Sequence, residues 1–201
     1  MCPDNKNDRH EKRMQKKKNV VDAAINKADQ DKGLLLVLTG NGKGKSSSAF
    51  GMLARALGHG MNCAVAQFVK SRRDTGEEAF FRDKCNVNWH VLGDGFTWET
   101  QNREQDIETA QRGWAQAQKM LADPEINLVI LDELTYLLKD GYLDMESVLT
   151  DIRNRPPMQH VVVTGRGAPE ALCEIADTIT ELGDVKHAFR AGIRAQNGID
   201  L

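Results

Sequence analysis

Long apolar runs, paired cysteines and aromatic residues are all scarce in this chain. Aromatic residues make up 5% of it, and its four cysteines form no C-x-x-C pair and stand at no metal-ligand spacing from a histidine. No apolar run approaches the ~20 residues of a membrane span, and the basic N-terminus lacks the apolar core of a signal peptide. The sequence therefore predicts a cytoplasmic protein with reduced thiols and no membrane partner.

Net charge is also small, and it is unevenly distributed. The formal charge is −2, which argues against a general nucleic-acid binder. Residues 1–32 hold nine Lys/Arg against six Asp/Glu and carry only a weak helical stripe of apolar residues. We interpret 1–32 as a basic, partly flexible N-terminal helix. It could be a solvated tail, or a helix that orders over a ligand or a second subunit.

From residue 33 onward the pattern is that of one α/β domain, 33–201. Short apolar runs alternate with amphipathic segments, which is typical of parallel β-α-β units. The predicted strands are 34–39, 63–69, 87–91, 127–133, 159–167 and 178–182. One predicted helix directly follows the glycine loop. The others cover residues 103–124, 144–154 and 168–177. We expect a three-layer α/β sandwich with a mostly parallel central sheet, whose ligands bind at the carboxyl ends of the strands.

The stretch TGNGKGKSSS, residues 39–48, is nearly a phosphate-binding loop. The usual pattern is G-x-x-x-x-G-K-[ST], but residue 39 is threonine and the first glycine comes one position later, so the loop is one residue short. Its glycines can turn the backbone N–H groups toward a phosphate, and the following helix points its positive end at the same place. Lys45 would supply a mobile cation. Such a loop between a strand and a helix makes the expected sandwich P-loop NTPase-like (RecA-like). The predicted ATP-binding residues of the loop are Gly40, Asn41, Gly42, Lys43, Gly44, Lys45 and Ser46.

Two further motifs end predicted strands and should converge with the loop. Asp132 and Glu133 follow an apolar run, and with the Ser46 hydroxyl they are candidate ligands of Mg²⁺ or Mn²⁺; the alternative is a helix cap for residues 134–139. Arg166, between two glycines, could reach a phosphate with its planar fork. Arg55 is a further candidate for ATP binding, with a surface ion pair as the equal alternative.

No general base and no protein nucleophile is evident from the spacing of the residues. This favours either phosphoryl transfer by positioning or a substrate that brings its own nucleophile. Phe96 and Trp98 lie in a polar, glycine-bounded loop, GFTWET, where helical or strand periodicity does not explain them. They could fold back into the core or contact a large flat ligand.

Taken together, several motifs resemble those of the ATP:corrinoid adenosyltransferases, the P-loop class that makes adenosylcobalamin. The motifs are TGNGKGKS, GFTWETQNRE, LDELTY, VVVTGRG, IADTITEL, VKHAF and AQNGIDL. The resemblance runs from about residue 33 to Leu201, with a similar basic helix before it. The chain departs from the family at Ser46, where threonine is usual, and both residues offer a hydroxyl.

The resemblance implies that ATP lies in the loop in a reversed sense. Its 5′ carbon would then face the Co(I) of a reduced corrinoid, which attacks that carbon and releases triphosphate. Catalytic roles are implied for Lys45, Phe96 and Trp98, and the two aromatic residues would also bind the corrinoid and displace the lower axial ligand of cobalt. The corrinoid could be cobalamin, cobinamide or a cobyric-acid derivative. A reduced flavoprotein electron donor, a homodimer and a lid formed by residues 6–30 are implied as well.

Two other functions share the phosphate-binding loop. A P-loop phosphotransferase or NTPase would cleave the γ-phosphate and release ADP or phosphate. A non-enzymatic module that binds ATP or nucleic acid would use the basic tail, but the net charge of −5 over residues 33–201 disfavours it. Neither function requires Phe96 or Trp98.

Overall fold

The computed structural model describes residues 6–69, 75–93 and 102–199. The chain divides into two compact units, residues 1–32 and residues 33–201. The first unit contains one helix, α1 (Lys6–Ile25), whose residues are all solvent-exposed. In the described part of the chain, no helix combines the length and the hydropathy needed to cross a bilayer.

The second unit is built on a six-stranded sheet. Its strands are β1 (Leu35–Thr39), β2 (Cys63–Gln67), β3 (Asn88–Val91), β4 (Leu128–Asp132), β5 (His160–Thr164) and β6 (Thr178–Glu181). Their order is β3-β2-β4-β5-β1-β6, and all five pairings are parallel. The predicted α/β fold with a mostly parallel central sheet is therefore confirmed.

Helices cover both faces of this sheet. They are α2 (Lys45–Gly58), α3 (Gly76–Cys85), α4 (Arg103–Ala122), α5 (Leu134–Lys139), α6 (Met145–Arg153) and α7 (Glu170–Ile175), followed by a 3-10 turn at Ala188–Ala191. Glycine and proline set the boundaries as expected, since α2 ends at Gly58 and α4 ends just before Pro124. The sequence did not predict α3, whose N-terminus is capped by the Thr75 hydroxyl.

The continuous apolar strands are explained by burial on both faces. Every residue of β2 and of β4 is buried. Ala64 and Ala66 of β2 pack into one core with helices α4 to α7, whereas Val65 packs into the other core with Phe50 and Phe81. Two-sided packing of this kind is what parallel sheets require, and it holds the carboxyl ends of the central strands in fixed positions.

Candidate active site

The glycine loop connects the end of β1 to the start of α2. Gly40 and Gly44 have φ values of 97° and 107°, in the left-handed region that glycine adopts without a steric penalty. The N–H of Gly42 donates to the carbonyl of Leu182 at 2.7 Å, and the N–H of Leu182 donates to the carbonyl of Thr39 at 2.8 Å. The loop is thus hydrogen-bonded to the backbone that follows β6.

Residues 182 and 183 form a close floor under the loop. A Cβ atom added at Gly40 would lie 2.4 Å from the carbonyl oxygen of Leu182, and one added at Gly42 would lie 2.5 Å from that of Gly183. Both distances are well below van der Waals contact with a backbone atom that cannot swing away. Gly40 is therefore required both by the close approach of two backbones and by its dihedral angle, Gly42 by the close approach, and Gly44 by its dihedral angle.

Lys45, the first residue of α2, is 8% exposed, and its Nζ donates to the carbonyl oxygen of Gly42 at 2.6 Å. Burial lowers the pKa of this ammonium group, and the positive charge of Arg166 lowers it further, whereas Glu133 and Asp132 act in the opposite direction. Hydrogen bonds show the same arrangement, because Ala168 N, two residues after Arg166, donates to Thr39 Oγ1 at 3.2 Å, and Thr164 Oγ1 at the end of β5 donates to Asp132 Oδ1 at 2.7 Å. The predicted convergence of the loop, the acidic pair and the arginine is confirmed.

The acidic pair ends β4, and its two members have different surroundings. Asp132 is completely buried, and its carboxylate accepts hydrogen bonds from Thr164 Oγ1 at 2.7 Å and from Gln67 Nε2 at 2.9 Å. Glu133 is half-buried, has a φ of 65°, and donates its backbone N–H to Thr164 Oγ1 at 2.9 Å. Glu133 occupies the N-cap position of α5 without a side-chain cap bond, so helix capping does not explain these acids.

The available donors fit a magnesium ion held together with phosphates. Ser46 is half-buried in the first turn of α2, and with Asp132 and Glu133 it offers hydroxyl and carboxylate oxygens, which Mg²⁺ prefers. Among the described residues, no group of three or more His, Cys, Asp or Glu side chains could hold a metal by itself. Mg²⁺ ordinarily takes one or two carboxylates, several waters and substrate phosphates rather than a protein cage.

Arg166 lies in the turn after β5, flanked by Gly165 and Gly167 with positive φ. Its carbonyl accepts a hydrogen bond from Thr135 Oγ1 at 2.9 Å, which anchors the turn to α5. Arg166 is exposed, and its positive charge acts to lower the pKa of both Lys45 and Tyr136. The turn therefore presents a hydrogen-bonded backbone and an exposed guanidinium group to the site.

Not every predicted residue comes to the loop. Arg55 lies in the last turn of α2, ten residues from Lys45 or about 15 Å of helical rise, and lines a cavity of about 260 Å³ with His59 and His160. The structure thus does not bring Arg55 to the loop. Asn41 and Lys43 are exposed on it. Phe96 and Trp98 lie outside the described residues.

Three polar side chains of the site were not predicted from the sequence. Thr164 and Gln67 hold the Asp132 carboxylate, and Tyr136 is half-buried, with a pKa raised by burial and then by Glu133. A signal existed for two of them, because Gln67 and Thr164 are polar residues at the carboxyl ends of otherwise apolar strands. Such positions in a parallel sheet face the ligand edge.

Known proteins are similar to this chain along nearly its whole length. A family model described as "ATP:corrinoid adenosyltransferase BtuR/CobO/CobP" matches residues 31–201, and one described as "Cob(I)alamin adenosyltransferase N terminal" matches residues 3–25. A corrinoid adenosyltransferase of Pseudomonas aeruginosa is 59% identical, over 98% of this chain and 97% of that protein. The corrinoid adenosyltransferase CobA of Salmonella typhimurium is 46% identical and that of Escherichia coli K12 is 45% identical, each over 96% of this chain and 98% of its own length.

Proposed function

This chain belongs to the ATP:corrinoid adenosyltransferase family, and we propose how its own residues perform that reaction. The enzyme transfers the adenosyl group of ATP to a corrinoid. Family membership favours this activity over cleavage of the γ-phosphate. The observation that carries the proposed assignment of residues is that hydrogen bonds bring Lys45, the acidic pair and the Arg166 turn to one glycine loop.

The glycine loop binds the triphosphate of ATP in this proposal. Backbone N–H groups of the loop and the positive end of α2 surround the phosphates, whereas the Gly42 N–H keeps its bond to Leu182. Asn41 and Lys43 contribute from the exposed side of the loop. The Lys45 ammonium, which donates to the Gly42 carbonyl, is placed to donate to a phosphate oxygen instead. Arg166 approaches from the adjacent strand end. Two cations and a helix terminus thereby stabilise the charge that develops on the leaving triphosphate.

The metal is Mg²⁺ or Mn²⁺ in this proposal, with Ser46, Asp132 and Glu133 as the residues that hold it. When bound, the ion neutralises phosphate charge and fixes the geometry of the triphosphate. The support is the oxygen-only donor set and the way in which Thr164 holds both acids, through the Asp132 carboxylate and the Glu133 backbone.

The chemical step needs no protein base. The electron pair of Co(I) forms a bond to the 5′ carbon of ATP while the bond from that carbon to the phosphate oxygen breaks, and that electron pair leaves with the triphosphate. The protein then has to hold the two reactants in line, an alignment worth roughly 7–11 kcal/mol in well-oriented systems. A nucleophile supplied by the substrate agrees with a sequence in which no base or nucleophile was evident.

Four further assignments rest on family resemblance. Phe96 and Trp98 would bind the corrinoid and favour loss of the lower axial ligand of cobalt, which makes Co(II) easier to reduce. A reduced flavoprotein would supply the electron, and the enzyme would work as a cytoplasmic homodimer. Residues 6–30 would act as a lid over the bound corrinoid. The match of residues 3–25 to a separate N-terminal family model supports a conserved role for that helix.

A visible spectrum recorded over time, in the dark and without oxygen, tests the proposed reaction. The protein is mixed with Mg-ATP and chemically reduced cob(I)alamin, and the phosphate product is identified. We expect a light-sensitive alkylcobalamin spectrum and one triphosphate released for each adenosyl group transferred. An unchanged spectrum with ADP as the product would mean that the short loop holds ATP in the ordinary direction.

A further inference from the structure

A chain of buried hydrogen bonds crosses four neighbouring strands and ends on the acidic pair. Trp89 Nε1 of β3 donates to Gln67 Oε1 of β2 at 3.0 Å, and Gln67 Nε2 donates to Asp132 Oδ2 of β4 at 2.9 Å. From the other side, Thr164 Oγ1 of β5 donates to Asp132 Oδ1 at 2.7 Å. Trp89 is 7% exposed and the other three residues are completely buried.

The indole group determines the direction of this chain. An indole N–H can only donate, so the Gln67 oxygen must face Trp89 and the Gln67 NH₂ group must face Asp132. The ring of Trp89 is itself held by packing. It is stacked on Phe81, with ring centroids 6.1 Å apart and an interplanar angle of 8°, and its centroid lies 5.2 Å from that of Phe50. The amide orientation is thereby fixed by an aromatic cluster on the α2 and α3 side of the sheet.

We propose that Gln67, oriented by Trp89, is a positioning residue for the Asp132 carboxylate in the binding of the metal that accompanies ATP. The two carboxylate oxygens accept hydrogen bonds from side chains on two different neighbouring strands, and together these bonds hold the carboxylate in one plane. A carboxylate accepts through about four lone-pair positions, so these two hydrogen bonds determine the direction in which Asp132 can offer an oxygen to a metal. This inference rests on the metal role proposed for Asp132.

A role in packing alone would not require the amide group of Gln67. Gln67 is the last residue of β2 and pairs directly with Asp132, at the carboxyl edge where ligands bind. An apolar side chain of similar size would satisfy packing in this apolar strand, but it would leave the buried Asp132 oxygen and the Trp89 N–H without these partners. The amide is explained once the carboxylate has to keep one orientation.

Binding of Mn²⁺ to the full-length protein in the presence of ATP tests the inference, with free Mn²⁺ measured by electron paramagnetic resonance. Gln67→Leu should weaken Mn²⁺ binding by roughly 10–100-fold, the usual effect of removing a group that orients a metal ligand. Trp89→Phe should weaken it in the same direction but less, because the amide stays and only its orientation is released. ATP binding in EDTA should stay unchanged, and activity should recover at saturating metal.

Trp114→Phe is the matched control. Trp114 is 5% exposed and its Nε1 donates to Asp151 Oδ2 at 2.9 Å, so this variant also removes a buried indole N–H that donates to a side chain. It should lower the melting temperature by an amount similar to Trp89→Phe and leave Mn²⁺ binding unchanged. If Trp89→Phe and Gln67→Leu also leave it within twofold of wild type, the positioning role is refuted.

Asp132→Asn separates failure of this inference from failure of the proposed metal site. If Asp132→Asn weakens Mn²⁺ binding while the Gln67 and Trp89 variants do not, only the positioning role is refuted. If Asp132→Asn has no effect either, the metal role of Asp132 is wrong and the inference falls with it. Should Gln67→Leu fail to fold, the milder Trp89→Phe decides the outcome.

Discussion

Replacing Gly42 by alanine should lower adenosyl transfer by about a hundredfold while the protein stays folded. The added Cβ would lie 2.5 Å from the carbonyl oxygen of Gly183 and 2.8 Å from that of Leu182. Ordinary contact begins at 3.4 Å, so the loop or its floor must move by roughly 0.9 Å, the difference between the two distances. Both obstacles are backbone atoms, which no rotamer change can remove.

The cost follows from that displacement. The hydrogen bond from Gly42 N to Leu182 O, now 2.7 Å, would lengthen beyond the ordinary range, and the phosphate-facing N–H groups would move with it. A misplacement of about 1 Å near a reacting group can cost about 100-fold in rate, which corresponds to about 2.7 kcal/mol of transition-state stabilisation.

The assay is the initial rate of alkylcobalamin formation from cob(I)alamin at varied ATP concentration, expressed as kcat/KM for ATP. Gly51→Ala is the control, because Gly51 lies within α2 and a Cβ added there meets nothing within 4 Å. That change should keep full activity and stabilise the helix by about 0.5–1 kcal/mol. A Gly42→Ala enzyme within threefold of wild type would refute the idea that the floor positions the loop.

Four further outcomes are expected. Lys45→Met should reduce single-turnover transfer by about 10²–10³-fold and Lys43→Met by much less, because Lys45 is buried against the loop whereas Lys43 is exposed; equal losses would contradict this. Trp98→Ala should spare the reaction with pre-reduced Co(I) and impair the route from Co(II), whereas equal impairment of both would show that Trp98 does not tune reduction. Deleting residues 6–30 should leave ATP binding largely intact and reduce corrinoid turnover, and unchanged turnover would argue against a lid. Burial raises the pKa of the Cys63 thiol from 9.0 to about 11, so its thiolate fraction at pH 8 is roughly 100-fold lower in the folded than in the unfolded protein. Iodoacetamide should therefore label Cys63 much more slowly in the native than in the denatured protein, as measured by mass spectrometry.

The raised pKa of Cys63 also makes the stability of the folded protein depend on pH. Because the folded-state pKa of Cys63 lies above its unfolded value, the folded state binds the proton more tightly. The resulting stabilisation is fully present below about pH 9 and is lost as the pH rises through about 11. Cys63→Ala should flatten this alkaline part of the pH–stability curve, measured by denaturant unfolding.

The parts of the fold that could be predicted are those in which the information is local. The loop, its preceding strand and its following helix stand together in about 25 residues, and continuous apolar runs identified the buried strands. Helix α3 was missed because its sequence, GEEAFFRDKC, is largely polar and carries a buried glutamate, Glu78, where an apolar residue would be expected. Its apolar pattern is therefore too short to identify a helix.

The site was predictable only as far as single motifs reach. Gln67 and Thr164 meet Asp132 across 65 and 32 positions of sequence, and strand order and register bring them together. Neither order nor register can be read from one chain by periodicity alone. Arg55 shows the converse, because closeness in sequence to Lys45 places it at the other end of the same helix.

The floor beneath the loop also dictates when, during its own synthesis, the protein can first bind a nucleotide. The strand that leads into the loop pairs with β5 and β6, and Gly42 is hydrogen-bonded to a residue made 140 positions later. At 5–20 residues per second, a ribosome needs roughly 7–28 s to cover that distance. Through that interval the nascent chain already contains every residue of the phosphate-binding loop but lacks the backbone of residues 182 and 183 that contacts it. We therefore expect a chain translated from an mRNA truncated before codon 182 to contain the entire motif but not to bind ATP.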